Sequence, residues 1–472
     1  MKGKFWVPLS TIFVFGFFWL INPYNKPLLS LFLASGVFLL GVYPFWIWLN
    51  KPVRETIPVI EFHGLFYALC FGIGGFVDPI ITKTAMFVKE SDLQSGLLVT
   101  VLGLLSLYLG YYLVAPKIMG PIRESIWPLV FDRKAYNWFI LFLYFLAFGS
   151  NFLIEKIELK LFSQITNTIS TFLLIVLLHA WLNGQLSKKT RFLLKWLVLP
   201  ANVLFFSGLT NSQIAGFVGL CIIVGIIYMN VRKHVPGILF TIAVAIFFFL
   251  QPVKGEFRNI VWFQGTEQTQ FEKLKVFTVL GLEFYREAIN TDQISLALAL
   301  SYQRLHHLHV TSAVIVDTPA SQPYLYGETY LPLLTKWIPR LFWPGKPVED
   351  LGNRWAIQYG YLNPFDTVTS FNLPWLPEMY MNFGIFGIIG INFLIGMLFY
   401  TLSKFFTGFC TDSTRFAIGL SLSGSIMFVE SHLSMKTGGI IICLMTLTTF
   451  MWILSILFPS MVRSQQKNSD RK

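Results

Sequence analysis

Five cationic side chains lie in or beside one long polar stretch, residues 253–375, which separates two groups of apolar segments. An arginine guanidinium makes two parallel hydrogen bonds to phosphate oxygens and stays charged at neutral pH. Pro and Gly residues flank the central members and restrict their backbone. The set predicts a phosphate or pyrophosphate site, with ordinary interfacial salt bridging as the alternative for each member. Its members are Arg258, Arg304, Arg340, Lys346 and Arg354.

Three carboxylates of the same region are candidates for a general base: Glu328 in YGETY, Asp366 in PFDTVTS and Glu378 in PEMYMNFG. Sugar transfer needs a carboxylate close to the acceptor hydroxyl to accept its proton. Glu378 and Asn382 are four residues apart, so on a helix they share a face and can line one cleft. A carboxylate near the start of a helix also stabilises that helix end, and this alternative stays open for Glu378.

Other familiar chemistries are absent from the sequence. No phosphate-binding glycine loop, dinucleotide fingerprint or zinc-protease motif is present, so we predict no nucleotide site and no cofactor. The H-H-x-H run His306, His307 and His309 does not place its rings as metal ligands four residues apart would lie, and no carboxylate is near in sequence. We interpret it as a polar face and predict no metal.

The elements that position these residues are membrane helices. Apolar residues make up 54 % of the 472-residue chain and charged residues only 13 %, a balance that excludes an ordinary soluble domain. Apolar runs of about 20 residues, the length a helix needs to cross a bilayer, recur along the chain. They predict an all-α polytopic membrane protein with about 12 transmembrane helices. The predicted spans are 5–21, 28–49, 59–78, 95–114, 137–154, 162–182, 192–209, 211–230, 236–252, 378–402, 415–431 and 437–458.

Charge predicts the orientation of these spans. With the N-terminus inside, the cytoplasmic segments contain about 20 Lys and Arg against about 5 Asp and Glu, the asymmetry of the positive-inside rule. Both termini are then cytoplasmic and the polar stretch is extracytoplasmic. The excess charge of +12 belongs to the cytoplasmic rim, so topology explains it better than nucleic-acid binding. No cleavage site follows the first apolar run, which predicts a retained helix rather than a signal peptide.

The spans divide the chain into four regions. Residues 1–252 form helices one to nine, 253–377 a large extracytoplasmic loop with the probable active site, 378–458 the last three helices, and 459–472 a polar cytoplasmic tail. Within the loop, apolar residues at helical spacing predict a helix over 268–289 that lies on the membrane surface or packs under the loop. A helix-like stretch too polar to cross a bilayer follows it. The four cysteines have no metal or redox spacing and are interpreted as structural.

The end of the loop resembles the Wzy-like oligosaccharide repeat-unit polymerases, which make O-antigen and exopolysaccharide. Those proteins have a P-R-x-x-W-P-x-K-P stretch, a Gly-Asn step, a Thr-rich strip and a P-x-E-x-Y-x-N-F-G entry to the next helix. The rest of the chain agrees with them only in hydropathy and topology. The matching residues here are Pro339, Arg340, Trp343, Pro344, Lys346, Pro347, Gly352, Asn353, Thr367, Thr369, Ser370, Pro377, Glu378, Tyr380, Asn382, Phe383 and Gly384.

The resemblance implies a membrane glycosyltransferase of GT-C-like architecture in a bacterial inner membrane. Its donor and acceptor are glycans linked to undecaprenyl pyrophosphate, and a chain-length regulator and a flippase are further partners. The cations then bind pyrophosphate, one carboxylate is the base, and Trp343, Asn353, Tyr380 and Asn382 contact sugars. The alternatives are an O-antigen ligase, which differs only in acceptor, and a 12-helix secondary transporter, which keeps its charges near the bilayer midplane.

Overall fold

A computed structural model of the chain describes residues 12–13, 16, 19–20, 25–51, 56–77, 89–122, 125–156, 160–206, 214–263, 269–336, 338, 343, 345–346, 349–367, 369–407 and 412–464. The chain is mainly helical. Its principal helices are α1 (Leu28–Asn50), α2 (Val59–Tyr67), α3 (Glu90–Tyr108), α4 (Trp138–Lys156), α5 (Lys160–Leu182), α6 (Lys188–Leu193), α7 (Ile214–Arg232), α8 (Gly237–Leu250), α9 (Lys254–Arg258), α10 (Gln270–Asn290), α11 (Ile294–Gln303), α12 (Leu308–Asp317), α13 (Leu351–Gln358), α14 (Trp375–Leu402), α15 (Ser413–Met427) and α16 (Leu433–Leu457). Two short strands, β1 (Leu129–Phe131) and β2 (Val462–Ser464), pair antiparallel.

Among these residues, six helical segments are long and apolar enough to cross a bilayer, and up to seven if the bent pair formed by α8 and the segment Lys254–Val261 is one span. The predicted all-α, membrane-associated fold is therefore confirmed in outline. The six segments are Leu28–Asn50, Glu90–Met119, Phe162–Leu182, Ile214–Arg232, Trp375–Phe406 and Leu433–Leu457.

The sequence predicts 12 spans, and the difference has identifiable causes. Most of the predicted span 5–21 lies outside the described residues. The predicted spans 59–78 and 137–154 correspond to shorter apolar helices, and the helix pair that follows residue 236 bends by 71°. The described part of 192–209 consists of short helical segments in series, and 415–431 corresponds to the 15-residue helix α15. Hydropathy measures only how apolar a segment is, so it does not show where a helix ends early or bends.

The predicted loop region contains several helices. The amphipathic pattern at 268–289 forms α10, whose start is a capping box: the Glu272 N–H donates to Thr269 Oγ1 at 3.3 Å, and Glu272 Oε2 accepts from the Thr269 N–H at 2.7 Å. The next stretch forms two helices, α11 and α12, with a break at Arg304–His307. Both predicted stretches are therefore helical in the structure.

The chain divides into two compact units. The first comprises Met1–Trp127, His306–Thr411 and Ile418–Thr449. Within it α3 packs against α1, α12 and α14, and α1 packs against α2. The helices α1 and α2 pack very closely where Gly41 and Gly64 meet, since neither residue has a side chain. A Cβ on Gly64 would lie 2.7 Å from the Gly41 carbonyl oxygen.

The second unit comprises Pro128–Leu305, Asp412–Ala417 and Phe450–Lys472. In it α4 packs against α5, and α7 against α8. An apolar core joins α7, α8, α9 and α10, and the Phe257 and Phe277 rings stack in it with centroids 4.2 Å apart. The strands β1 and β2 also belong to this unit, with Val130 opposite Arg463.

Candidate functional site

The helix α14 reverses direction near its start. Phe383 and Gly384 have non-helical backbone angles, and Gly384 has φ 58° and ψ −143°. The Trp375 and Phe399 rings lie 5.8 Å apart, although 24 residues of straight helix would separate them by about 36 Å. The Asn392 Nδ2 group also donates to Met379 Sδ at 3.2 Å. The residues 375–382 therefore form a short arm that folds back against the long arm 385–402.

The short arm buries Glu378 completely, with 0 % of its surface exposed. Its Oε2 accepts a hydrogen bond of 2.7 Å from the Leu433 N–H, at the first residue of α16. The second oxygen, Oε1, is buried without a hydrogen bond of normal geometry to any described residue. The carboxylate therefore stabilises the N-terminus of a different helix from its own, and the Thr329 side chain also lies close to it.

Other charged side chains surround this carboxylate in the first unit. The Lys336 ammonium pairs with Glu349, which also accepts from the Ser434 hydroxyl at 3.1 Å. Lys436 lies close enough to Glu430 to interact electrostatically, and His432 is near Glu349 and both lysines. Glu378, His432 and Lys436 are buried and the other three are partly exposed, and we refer to this set as the charge cluster. Its members are Lys336, Glu349, Glu378, Glu430, His432 and Lys436.

The Lys436 side chain is the most enclosed cation of the cluster, with 5 % of its surface exposed. Its Nζ donates to the Phe428 carbonyl oxygen and lies 4.5 Å from the centre of the Trp375 ring. The Trp375 indole N–H in turn donates to the Tyr67 hydroxyl at 2.8 Å. A carbonyl and an aromatic face compensate in part for the lost hydration of the ammonium group.

Burial lowers the pKa of His432 to about 4, although the nearby Glu349 opposes this shift. The imidazole is therefore neutral at pH 7, and its Nδ1 can accept the Met435 N–H at 3.4 Å. With His432 neutral, three carboxylates oppose two ammonium groups in the cluster. Its formal charge is −1 when every acid is ionised, so one added proton neutralises it.

The residue Asn382 fastens the preceding loop to the short arm. Its Nδ2 donates to Thr329 Oγ1 and to the Glu378 carbonyl, both at 2.8 Å, and its Oδ1 accepts from the Gly327 N–H at 2.8 Å. All the polar atoms of this amide are occupied within the protein. The predicted shared face of Glu378 and Asn382 is present, and Asn382 positions the loop that covers Glu378.

The structure brings two other predicted residues together on the surface of the first unit. Arg354 Nη1 lies 3.4 Å from Glu328 Oε1, and Arg354 Nε donates to Asp350 Oδ1 at 2.8 Å. About half of each of these side chains is exposed. Exposed pairs of this kind contribute about 0–1 kcal/mol to stability, so they add little to the stability of the fold.

Four further predicted residues belong to the loop around α13. Asn353 Nδ2 donates to the Asp366 and Thr369 carbonyls at 2.7 and 2.8 Å, and Asp366 Oδ1 accepts from the Thr369 N–H at 2.8 Å. Lys346 Nζ donates to the Thr335 and Ile338 carbonyls. Trp343 is exposed. Asn353, Asp366 and Lys346 thus hold the loop in shape.

The predicted cationic set is divided. Arg258 and Arg304 belong to the second unit and lie near one another, while Lys346 and Arg354 belong to the first. Arg340 lies outside the described residues. Tyr380, the remaining predicted sugar contact, is half-buried on the short arm and its ring is 6.5 Å from that of Tyr324.

Sequence reasoning did not identify Lys336, Glu349, His432 and Lys436 as site residues. The predicted last span begins at 437 and leaves Lys436 just outside it, whereas α16 begins at Leu433 and includes Lys436. A signal was present, because Glu430, His432 and Lys436 lie within seven residues between two apolar segments. Ionisable residues in or at the end of a membrane helix are often functional.

The three histidines of the H-H-x-H run are buried in the first unit. His306 Nε2 lies 3.1 Å from the Gly74 carbonyl, so this nitrogen carries the proton, and His306 Nδ1 accepts from His309 Nδ1 at 2.9 Å. Burial lowers the pKa of His306 to about 4, which agrees with a neutral ring. The run forms a buried polar contact rather than the exposed polar face expected. Among the described residues no group of three or more His, Cys, Asp or Glu side chains is arranged to hold a metal ion.

One protein family matches a region of the chain that includes part of this site. A family model described as a domain of unknown function (DUF8712) matches residues 113–416, more than half of the chain. The chain belongs to this DUF8712 family. No curated protein and no solved structure matches it. The DUF8712 match includes Lys336, Glu349 and Glu378, while Glu430, His432 and Lys436 lie beyond its end.

Proposed function

We propose that the chain is a membrane glycosyltransferase that polymerises lipid-linked oligosaccharide repeat units at the outer face of the bacterial inner membrane. In this reaction the bond between the growing glycan and undecaprenyl pyrophosphate breaks. A hydroxyl of the next lipid-linked repeat unit forms the new glycosidic bond, its proton passes to a carboxylate, and undecaprenyl pyrophosphate leaves. The motif resemblance suggests this substrate class and a GT-C-like architecture.

The main support is the Glu378 carboxylate, a buried acid whose Oε2 is hydrogen-bonded to a backbone N–H and whose Oε1 has no hydrogen bond of normal geometry to a described residue. Its Oε2 is fixed by the Leu433 N–H, so Oε1 has a defined orientation toward any group that enters. A base held in this way needs little reorganisation when it accepts a proton. We assign Glu378 as the general base, with Asp366 and Glu328 as the competing candidates.

Access to this base requires movement. Glu378 has no exposed surface, and the loop 325–329 is hydrogen-bonded to Met381 and Asn382 of the short arm. We propose that this loop opens to admit the acceptor and closes for the reaction, as lids of other enzymes do. In the same proposal Arg340 and Lys346 provide the pyrophosphate contacts, and Lys346 exchanges its present carbonyl partners for the phosphate.

A secondary transporter is the second candidate function, and a specific observation favours it. The charge cluster and the reversed helix α14 resemble the interrupted helices and enclosed charges on which transporters bind their substrates. Glu378 and Lys436 lie within two of the six apolar segments, where a transporter keeps charged residues. Catalysis remains the better supported function because the loop motif accompanies the cluster.

Deletion of the gene distinguishes the two functions. A polymerase deletion is expected to abolish long glycan chains while single repeat units remain on the cell surface. Gel analysis of extracted polysaccharide measures the chain lengths. A deletion strain with chains of normal length but reduced uptake or export of a small solute would instead support the transporter.

The proposed orientation has its own test. In a variant without the four native cysteines, a cysteine at exposed Ser321 is expected to react with a membrane-impermeant maleimide in intact cells. A cysteine at Ser464, also exposed, should react only after the cells are opened. Labelling of position 464 in intact cells would place the C-terminus outside and contradict the charge-based orientation.

A further inference from the structure

A strip of exposed polar side chains lies along α13 in the first unit. The positions Asp350, Arg354 and Gln358 are spaced by four and therefore share one face. The segment 322–328 runs beside this face and pairs with it at both ends. Gln322 donates to the Gln358 carbonyl at 3.0 Å and accepts from Gln358 Nε2 at 3.1 Å. At the other end Glu328 pairs with Arg354.

Between these two ends the chain presents Tyr326, with 77 % of its surface exposed. Its backbone has φ 46°, a left-handed conformation that non-glycine residues rarely adopt. Hydrogen bonds to the short arm maintain it: the Tyr326 N–H donates to the Asn382 carbonyl at 3.2 Å, and the Leu325 N–H to the Met381 carbonyl at 2.9 Å. The ring of Tyr324 lies 6.2 Å away, edge to face. Strain of this kind is retained where the surrounding structure enforces it, often at binding sites.

The chemistry of the strip indicates its ligand. An exposed aromatic ring offers a flat apolar face on which the C–H side of a pyranose ring can stack. Carboxylates, carboxamides and a guanidinium on either side offer acceptors and donors for several hydroxyl groups. The charges of Glu328, Asp350 and Arg354 sum to −1, which disfavours a phosphate or an acidic lipid headgroup. A neutral oligosaccharide fits this combination.

We propose that the strip formed by Gln322, Tyr326, Glu328, Asp350, Arg354 and Gln358 is a binding site for the uncharged part of a glycan chain. The inference rests on the proposed glycosyltransferase function and extends it by giving the substrate a surface away from Glu378. Met381 and Asn382 connect the strip to the short arm that carries Glu378. A glycan bound on the strip is thereby held next to the loop that covers the base. In this proposal Arg354 and Glu328 contact sugar hydroxyls rather than pyrophosphate or the reacting proton.

The test measures glycan binding by the full-length protein in detergent. An array of labelled oligosaccharides cut from bacterial polysaccharides is the probe, and titration of the tightest ligand gives its affinity. Tyr326→Ala is expected to weaken binding by about tenfold, whereas Tyr326→Phe keeps the ring and should bind within about twofold of wild type. Leu334→Ala is the matched control, since Leu334 is 76 % exposed in the same loop and belongs to no part of the strip.

Each outcome is informative. Equal affinity of wild type and Tyr326→Ala, or no binding to any oligosaccharide of the array, overturns the inference. Tyr326-dependent binding to vesicles of anionic phospholipid, without binding to oligosaccharides, overturns it in favour of a lipid surface. If Tyr326 is required for glycan binding but deletion of the gene leaves glycan length unchanged, the glycan-binding strip is supported and the polymerase function is contradicted. If deletion removes long chains but glycan binding does not depend on Tyr326, the polymerase function is supported and the glycan-binding strip is contradicted.

Discussion

Glu378→Gln is expected to reduce polymer formation by about 100-fold or more while the protein keeps its fold. A glutamine still offers an oxygen to the Leu433 N–H, so the hydrogen bond at the start of α16 can persist. The substitution removes the negative charge and the ability to accept a proton. If the carboxylate served only to stabilise the helix end, the change would cost about 0.3–1 kcal/mol of stability and activity would be nearly intact.

The measurement uses purified protein with defined lipid-linked repeat units, and thermal unfolding of the same samples monitors the fold. Asp366→Asn and Glu328→Gln are compared in parallel, because each is a competing base. Asp366 is tied to the Thr369 N–H and Glu328 is exposed beside Arg354, so we expect smaller losses for both. Wild-type turnover by a folded Glu378→Gln protein would transfer the assignment to whichever of the other two variants is inactive.

Gly384→Ala is expected to disrupt the reversal of α14 and to abolish most activity. The φ of 58° and ψ of −143° at this position are open to glycine and strained for any residue with a Cβ. An added Cβ would also lie 2.9 Å from the Tyr324 hydroxyl. We expect a loss of about 1–3 kcal/mol of stability from the strained backbone. A shift of the short arm by about 1 Å would misplace Glu378 and cost roughly 100-fold in turnover.

The matched control is Gly390→Ala on the long arm of the same helix, where an added Cβ meets nothing within 4 Å. Alanine is the better helix former, so this variant should be as stable as wild type or slightly more stable. Thermal unfolding and turnover are measured for both variants. If Gly384→Ala behaved like Gly390→Ala, the chain would not reverse at residue 384 and α14 would be a continuous helix.

Three residues of the stretch that resembles the repeat-unit polymerases make distinct contacts in the first unit. The motif ends in P-x-E-x-Y-x-N-F-G, and in the structure its Glu, Asn and Gly have three distinct tasks. Glu378 presents a carboxylate, Asn382 fastens the covering loop, and Gly384 permits the reversal. A helix entry that needed only to start a membrane span would not require these three residue types together.

The sequence by itself determined the class of the protein. Apolar composition predicted a helical membrane-associated chain, because a backbone in lipid must satisfy its own hydrogen bonds and a helix does so within one segment. Amphipathic spacing predicted α10, and the Thr269–Glu272 capping box fixed where it begins. The sequence also predicted that Glu378 and Asn382 share a helix face, since this depends only on helical geometry within a single turn.

The tertiary structure alone decided what surrounds Glu378. Its hydrogen bond to Leu433 joins residues 55 positions apart, and no local pattern encodes such a contact. Hydropathy predicts a continuous span over 378–402 because it contains no information on backbone direction, whereas the structure reverses at Gly384. The predicted span 437–458 excludes Lys436, whereas α16 begins one turn earlier and includes it. Which charges are buried together depends on how helices pack, and that follows from the whole chain rather than from any one segment.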